Sequence, residues 1–154
     1  VRKNRKAARR VSGADNAEKI VRYAQAYGIA LVIFLILDGL WLGVVARGFY
    51  TSRMGDLLAS SPRWGVAAVF YALYVVGLVY FAVNAGFESG RWQTAALNGA
   101  LFGFFSYMTY NATALSVIRG FDSTLAVVDT LWGTIIGALV AGATTLALLA
   151  LARA

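Results

Sequence analysis

Four apolar runs, each about as long as a bilayer core is thick, take up most of this chain of 154 residues. A membrane-crossing helix needs roughly 20 predominantly apolar residues. The runs are 27–46, 65–87, 92–118 and 124–152. No charged residue falls between Arg63 and Glu88, nor anywhere in 92–118. Period-two alternation, the mark of a membrane β-barrel, is absent. The expected fold is therefore all-α: an integral membrane bundle of four transmembrane helices.

The charges are segregated. Only 14% of residues are charged, against roughly a quarter in soluble domains. Eight of the 14 Lys/Arg precede Tyr23: Arg2, Lys3, Arg5, Lys6, Arg9, Arg10, Lys19 and Arg22. The net charge of +7 thus describes a basic tail on a nearly neutral body. Residues 1–25 read as a basic cytoplasmic tail with a juxtamembrane helix, and 26–154 as the four-helix transmembrane domain. Within the tail, 1–13 is polar and without period, so it is expected to be disordered. Asp15 and Glu18 read as a capping box that opens a short amphipathic helix. An apolar run comes directly after the tail, so its expected partners are anionic lipid headgroups rather than nucleic acid. The first run is too long for a signal peptide and should stay as an anchor.

Basic residues favour the cytoplasmic side. The N-terminus is expected there, and an even number of spans returns the C-terminus to the same side. The expected location is the cytoplasmic (inner) membrane of a bacterium. Trp64, Trp92, Tyr50 and Tyr27 lie near span ends, as an aromatic belt requires. Segments 86–91 and 119–123 are short turns. Only 47–64 has room for more structure. Phe49, Tyr50, Met54, Leu57 and Leu58 share a helical face there, and Ser61-Pro62 would end the helix. It reads as a short interfacial helix on the bilayer surface, or as an ordinary amphipathic connector.

The chain has no cysteine and no histidine. That removes thiolate nucleophiles, iron–sulfur ligation, histidine bases and most zinc sites. No metal and no cofactor is expected. Any proton chemistry must use carboxylate, Tyr, Lys, Asn or backbone.

Two carboxylates stand where hydrocarbon is expected: Asp38 in Leu37-Asp38-Gly39-Leu40-Trp41, and Asp129 in its echo Val128-Asp129-Thr130-Leu131-Trp132. At 1.5 Å per residue, Asp38, Tyr71, Asn111 and Asp129 lie about 8–12 Å below the same outer edge. Tyr107, Tyr110 and Asn111 share a stripe with Gly99, Gly103 and Ala114 on the third span. Tyr71, Tyr74, Leu78 and Phe81 do so on the second. Trp41 and Trp132 each come three residues after their aspartate and share its face. A lone carboxylate at such depth costs about 2.5–3.5 kcal/mol on insertion scales. Both should therefore face the bundle and find donors among the tyrosines, the indoles, Thr109, Thr113 and Asn111. The candidate pocket is Asp38, Trp41, Tyr71, Tyr74, Tyr107, Tyr110, Asn111, Asp129 and Trp132. The plainer alternative is interhelical glue, at about 0.6 kcal/mol per hydrogen bond. Three GxxxG pairs, Gly39/Gly43, Gly99/Gly103 and Gly133/Gly137, are the expected close-packing positions.

These residues carry a family resemblance. The chain resembles an uncharacterised family of small four-span bacterial membrane proteins, the domain-of-unknown-function 2177 family. The resemblance rests on 37–43, Phe49-Tyr50, 54–58, 70–78 and 99–105. Tyr107, 109–113 and 128–134 complete it. It covers roughly residue 26 to the C-terminus. It implies four spans and the Asp/Trp/Tyr set, and it supplies no activity. The family pattern has aspartate where this chain has Asn111, so a role needing a third carboxylate does not carry over.

Three function classes remain. The first is a pocket or pathway for a small solute, proton or lipid. The second is a membrane-embedded enzyme using carboxylate acid/base chemistry. The third is an accessory or assembly subunit of a membrane complex. A homodimer is a further expected assembly.

Overall fold

The computed structural model of the chain describes the backbone of residues 2–153 and the side chains of residues 15–153. Among the described residues six α-helices succeed one another: α1 Arg2–Leu40, α2 Arg47–Met54, α3 Trp64–Leu78, α4 Asn84–Ser89, α5 Trp92–Val117 and α6 Ser123–Leu151. A π-helical turn, Trp41–Val45, extends α1, and another, Val79–Val83, joins α3 to α4. No strand occurs among the described residues. Three helical stretches are long and apolar enough to cross a membrane: Asp15–Val45, Trp64–Ser89 and Ser123–Leu151. α5 is of similar length, but Gln93, Asn98, Ser106, Thr109, Asn111 and Thr113 make it more polar.

The tail departs from expectation. α1 runs through 2–13 instead of starting after it. Arg, Lys and Ala dominate that segment and are strong helix formers, which outweighs the single Gly13. Asp15 and Glu18 accordingly lie inside a helix and do not cap one.

Helix ends obey local chemistry. Gly90 adopts φ +66° and closes α4, while the Arg91 N–H donates to the Gly86 carbonyl at 3.0 Å. This six-to-one bond with a left-handed glycine is the Schellman stop. α2 ends earlier than Ser61-Pro62 would have it. Gly55, at φ +48°, breaks it, and only one 3-10 turn, Gly55–Leu57, comes after.

The core is built from small and branched side chains. Ala26, Ala30 and Phe34 of α1 are buried with Val75, Leu78, Val79 and Ala82, and with Ile136, Val140 and Ala141 of α6. α5 and α6 meet along a glycine seam. A methyl group on Gly99 would strike the Gly137 carbonyl, and one on Gly103 the Gly133 carbonyl. On Gly133 it would strike the Tyr107 ring. Such backbone contact is what small residues permit in membranes. The third glycine pair behaves otherwise: Gly39 and Gly43 have nothing within 4 Å. Their spacing is right for packing, but no helix of this bundle lies opposite. Outside, Val32, Leu35, Ile36, Val66, Val69, Leu73 and Val76 are exposed, as lipid contact requires.

An ion pair ties the first connection to α6. Arg53 Nη1 donates to both oxygens of Asp122, at 3.0 and 3.2 Å. Asp122 also caps α6 by accepting from the Leu125 N–H at 2.7 Å. The Leu125 bond foremost, and then Arg53, hold the Asp122 carboxyl below its ordinary pKa. The folded value is lower than the unfolded one. The stabilisation is therefore present above the ordinary carboxylate range and is lost as pH falls through the folded value. Amide exchange in α2 and the first turn of α6 should accelerate over that interval, while Gly99–Gly103 stays protected. Asp122→Asn should keep the cap and abolish the pH dependence. Equal pH dependence in both proteins would contradict this assignment.

Candidate functional site

Asp38 is nearly sealed, at 4% exposure. Its two oxygens accept from different helices: Oδ2 from the Tyr71 hydroxyl at 2.7 Å, Oδ1 from the Trp132 indole Nε1 at 3.0 Å. The first long helix is thereby bonded to α3 and α6. Asp129 is held the same way. Its Oδ2 accepts from Asn111 Nδ2 at 2.8 Å, and its Oδ1 from the Tyr50 hydroxyl. A buried carboxylate is tolerable when both oxygens have donors.

The two carboxylates face one space. Asp38, Tyr71, Tyr107, Tyr110, Asp129 and Trp132 line a cavity of about 330 Å³, together with Leu42, Phe70 and Ser106. Among the described side chains, no lysine or arginine lines it. Each carboxylate offers about four lone-pair sites, and protein donors occupy two on each. The arrangement can accept further hydrogen bonds or balance a cation.

The other candidate residues occupy several environments. Trp41 stacks on Trp132, with ring centroids 4.3 Å apart and planes 7° from parallel, and its Nε1 is buried without a partner. The π turn begins at Trp41 and is closed by the Ala46 N–H on the Trp41 carbonyl at 2.7 Å. Such turns re-aim side chains at one point in a helix. Tyr74 is buried behind the cavity, in tilted contact with Phe34, Phe70 and Phe102, and its hydroxyl has no partner. Tyr110 is 58% exposed and sits at the rim with its ring edge-on to Phe121. Asn111 is buried and bonds Asp129 through its nitrogen, leaving Oδ1 unpartnered.

Asp129 and Trp132 both line the cavity, as a shared helix face requires, while the Trp132 indole bonds Asp38 across the bundle. Some expectations do not survive. Thr109 is exposed and bonds the Phe105 carbonyl of its own helix, and Thr113 is exposed too. Phe81 leaves the stripe of Tyr71 and Leu78 and is 60% exposed. The π turn Val79–Val83 adds a residue to that turn and rotates the helix beyond it.

Tyr50 is the site residue that belt logic hid. It lies on α2, just past the first span, where an interfacial tyrosine is unremarkable. Instead α2 folds back and its hydroxyl reaches Asp129. Burial first, and then the bond to Asp129, hold the Tyr50 hydroxyl above the ordinary phenol pKa. It therefore remains a donor at any physiological pH. The signal available was its place in the Phe49-Tyr50 pair that shares in the family resemblance.

A family model described as a predicted membrane protein, DUF2177, matches residues 23–146. The chain belongs to the DUF2177 family. The match takes in every cavity residue from Asp38 to Trp132. The family description assigns no activity beyond membrane residence. No curated protein and no solved structure matches the chain.

Proposed function

We propose that this DUF2177 protein crosses the cytoplasmic membrane of a bacterium four times, with both termini inside. The cavity between Asp38 and Asp129 would bind or pass a small solute, a proton or a lipid. α5 is taken as the fourth span: it is 26 residues long, about 39 Å, lacks charge, and runs back along α6 through the glycine seam. Charge supports the orientation. The tail's eight basic residues join Arg91 and Arg153 on one side, against Arg47, Arg53, Arg63 and Arg119 on the other. α2 would then lie at the outer surface as an interfacial helix, anchored by Tyr50 and Arg53.

One observation carries the pocket reading: two carboxylates from different helices border one void that no basic side chain lines among the described residues. Glue alone needs donors, which these acids have. It does not need about 330 Å³ of space beside them. Ionisable groups inside a membrane are by default functional.

The test uses the purified full chain in proteoliposomes, with protons and ethanolamine as probes. Asp38→Asn and Asp129→Asn should each lower proton flux or ethanolamine binding about tenfold or more. Unchanged behaviour in both variants would sink the pocket reading. A second reading, the accessory subunit, is favoured by the open Gly39/Gly43 ridge. In that case membrane complexes should survive both aspartate variants and be broken by Gly39→Leu.

A further inference from the structure

The cavity does not end at its own wall. Asp38, Leu42 and Tyr71 also line a neighbouring groove of about 710 Å³ between the end of the first span and the start of α3. Gly39, Gly43, Pro62 and Trp64 line it as well. A methyl group on either glycine would meet nothing within 4 Å, so the groove is open along both. Arg47 lines the same groove, is exposed, and has no ion pair or side-chain hydrogen bond among the described residues.

The order of charges is specific. Asp129 lines the cavity, Asp38 lines both cavity and groove, and Arg47, the nearest basic residue to Asp38 along the chain, lines the groove. Arg47 is nine positions after Asp38, at most about 14 Å of helix, and both residues border one void. We propose that the groove holds a phospholipid with a primary amine in its headgroup. The acyl chain would lie along Gly39 and Gly43, the phosphate against Arg47, and the ammonium group in the carboxylate cavity. This rests on the pocket reading above and names its ligand class. An arginine and a phosphate match as charge-assisted partners. A primary ammonium brings three N–H donors, as lysine does, to carboxylates that still have free lone pairs. A choline headgroup has no such donor, and a glycerol headgroup has no cation. A docked helix would fill the groove along the glycines but would leave both charged ends unanswered.

The experiment measures binding of phosphatidylethanolamine, phosphatidylcholine and phosphatidylglycerol to the purified full chain by native mass spectrometry. Free ethanolamine is titrated in parallel by calorimetry. Phosphatidylethanolamine should bind about tenfold or more tightly than the other two. Arg47→Ala should weaken it about tenfold without touching free ethanolamine. Gly39→Leu should block the lipid alone, and its melting temperature should match the parent because nothing opposes that position. Equal binding of the three lipids, with free ethanolamine still sensitive to Asp38→Asn, overturns the lipid assignment and leaves the pocket. Loss of a dimer in Gly39→Leu, with lipid binding intact, overturns it in favour of a helix. If neither lipid nor ethanolamine responds to Asp38→Asn or Asp129→Asn, both readings fall.

Discussion

Gly103→Leu should separate α5 from α6 and cost about 3 kcal/mol or more, the upper end for overpacking a tight contact. The reason is backbone geometry. A methyl group there already meets the Gly133 carbonyl, with the Tyr74 hydroxyl 3.3 Å away. Backbone cannot yield as a flexible side chain can. The same leucine at Gly39 should leave stability within about 0.5 kcal/mol of the parent, as for an unconstrained surface site. Reversible unfolding in mixed micelles, monitored by tryptophan fluorescence, reads both. Similar losses at the two positions would mean that Gly39 packs against a second molecule.

The next largest effect is expected at Asp38. Asp38→Leu leaves the Tyr71 hydroxyl and the Trp132 indole without their acceptor. An orphaned buried donor costs about 1–3 kcal/mol, so losing the acceptor of both should cost about 2–4 kcal/mol. Asp38→Asn keeps one acceptor and should cost less. Tyr71→Phe combined with Asp38→Leu should be clearly less than additive, because the two changes remove the same bond. Full additivity would show that the Tyr71–Asp38 bond carries no coupling.

Much of the fold was legible because it depends on composition along one stretch. Freedom from charge over 65–87 and 92–118 marks helices that the structure places at Trp64–Ser89 and Trp92–Val117. Position along a helix is also local, and residues it sets at one level are joined in the structure by the Tyr71–Asp38 and Asn111–Asp129 hydrogen bonds. Partner choice could not be read. Three glycine pairs share one spacing, yet only two face each other, since spacing reports a flat surface and not what covers it. The shared face of Asp129 and Trp132 was legible, but that the Trp132 indole bonds Asp38 was not, because the crossing of helices decides which acceptor it meets. Tyr50 depended on the chain turning back after Ala46, fixed by Gly55 and by Arg53 on Asp122, 69 residues away. The π turns leave no periodic trace, because each inserts a single residue.

Asp38 and Asp129, of the first and last long helices, line one cavity with donors from the rest of the bundle, and both proposals depend on that. Selective nitrogen-15 labelling of tryptophan tests it most directly, because four indoles give four resolvable signals. The Trp132 indole proton should resist exchange with water and should move on Asp38→Asn, with the Trp64 and Trp92 signals fixed. Four indoles indifferent to Asp38→Asn, or a Trp132 proton exchanging as freely as those of exposed Trp64 and Trp92, would contradict the account.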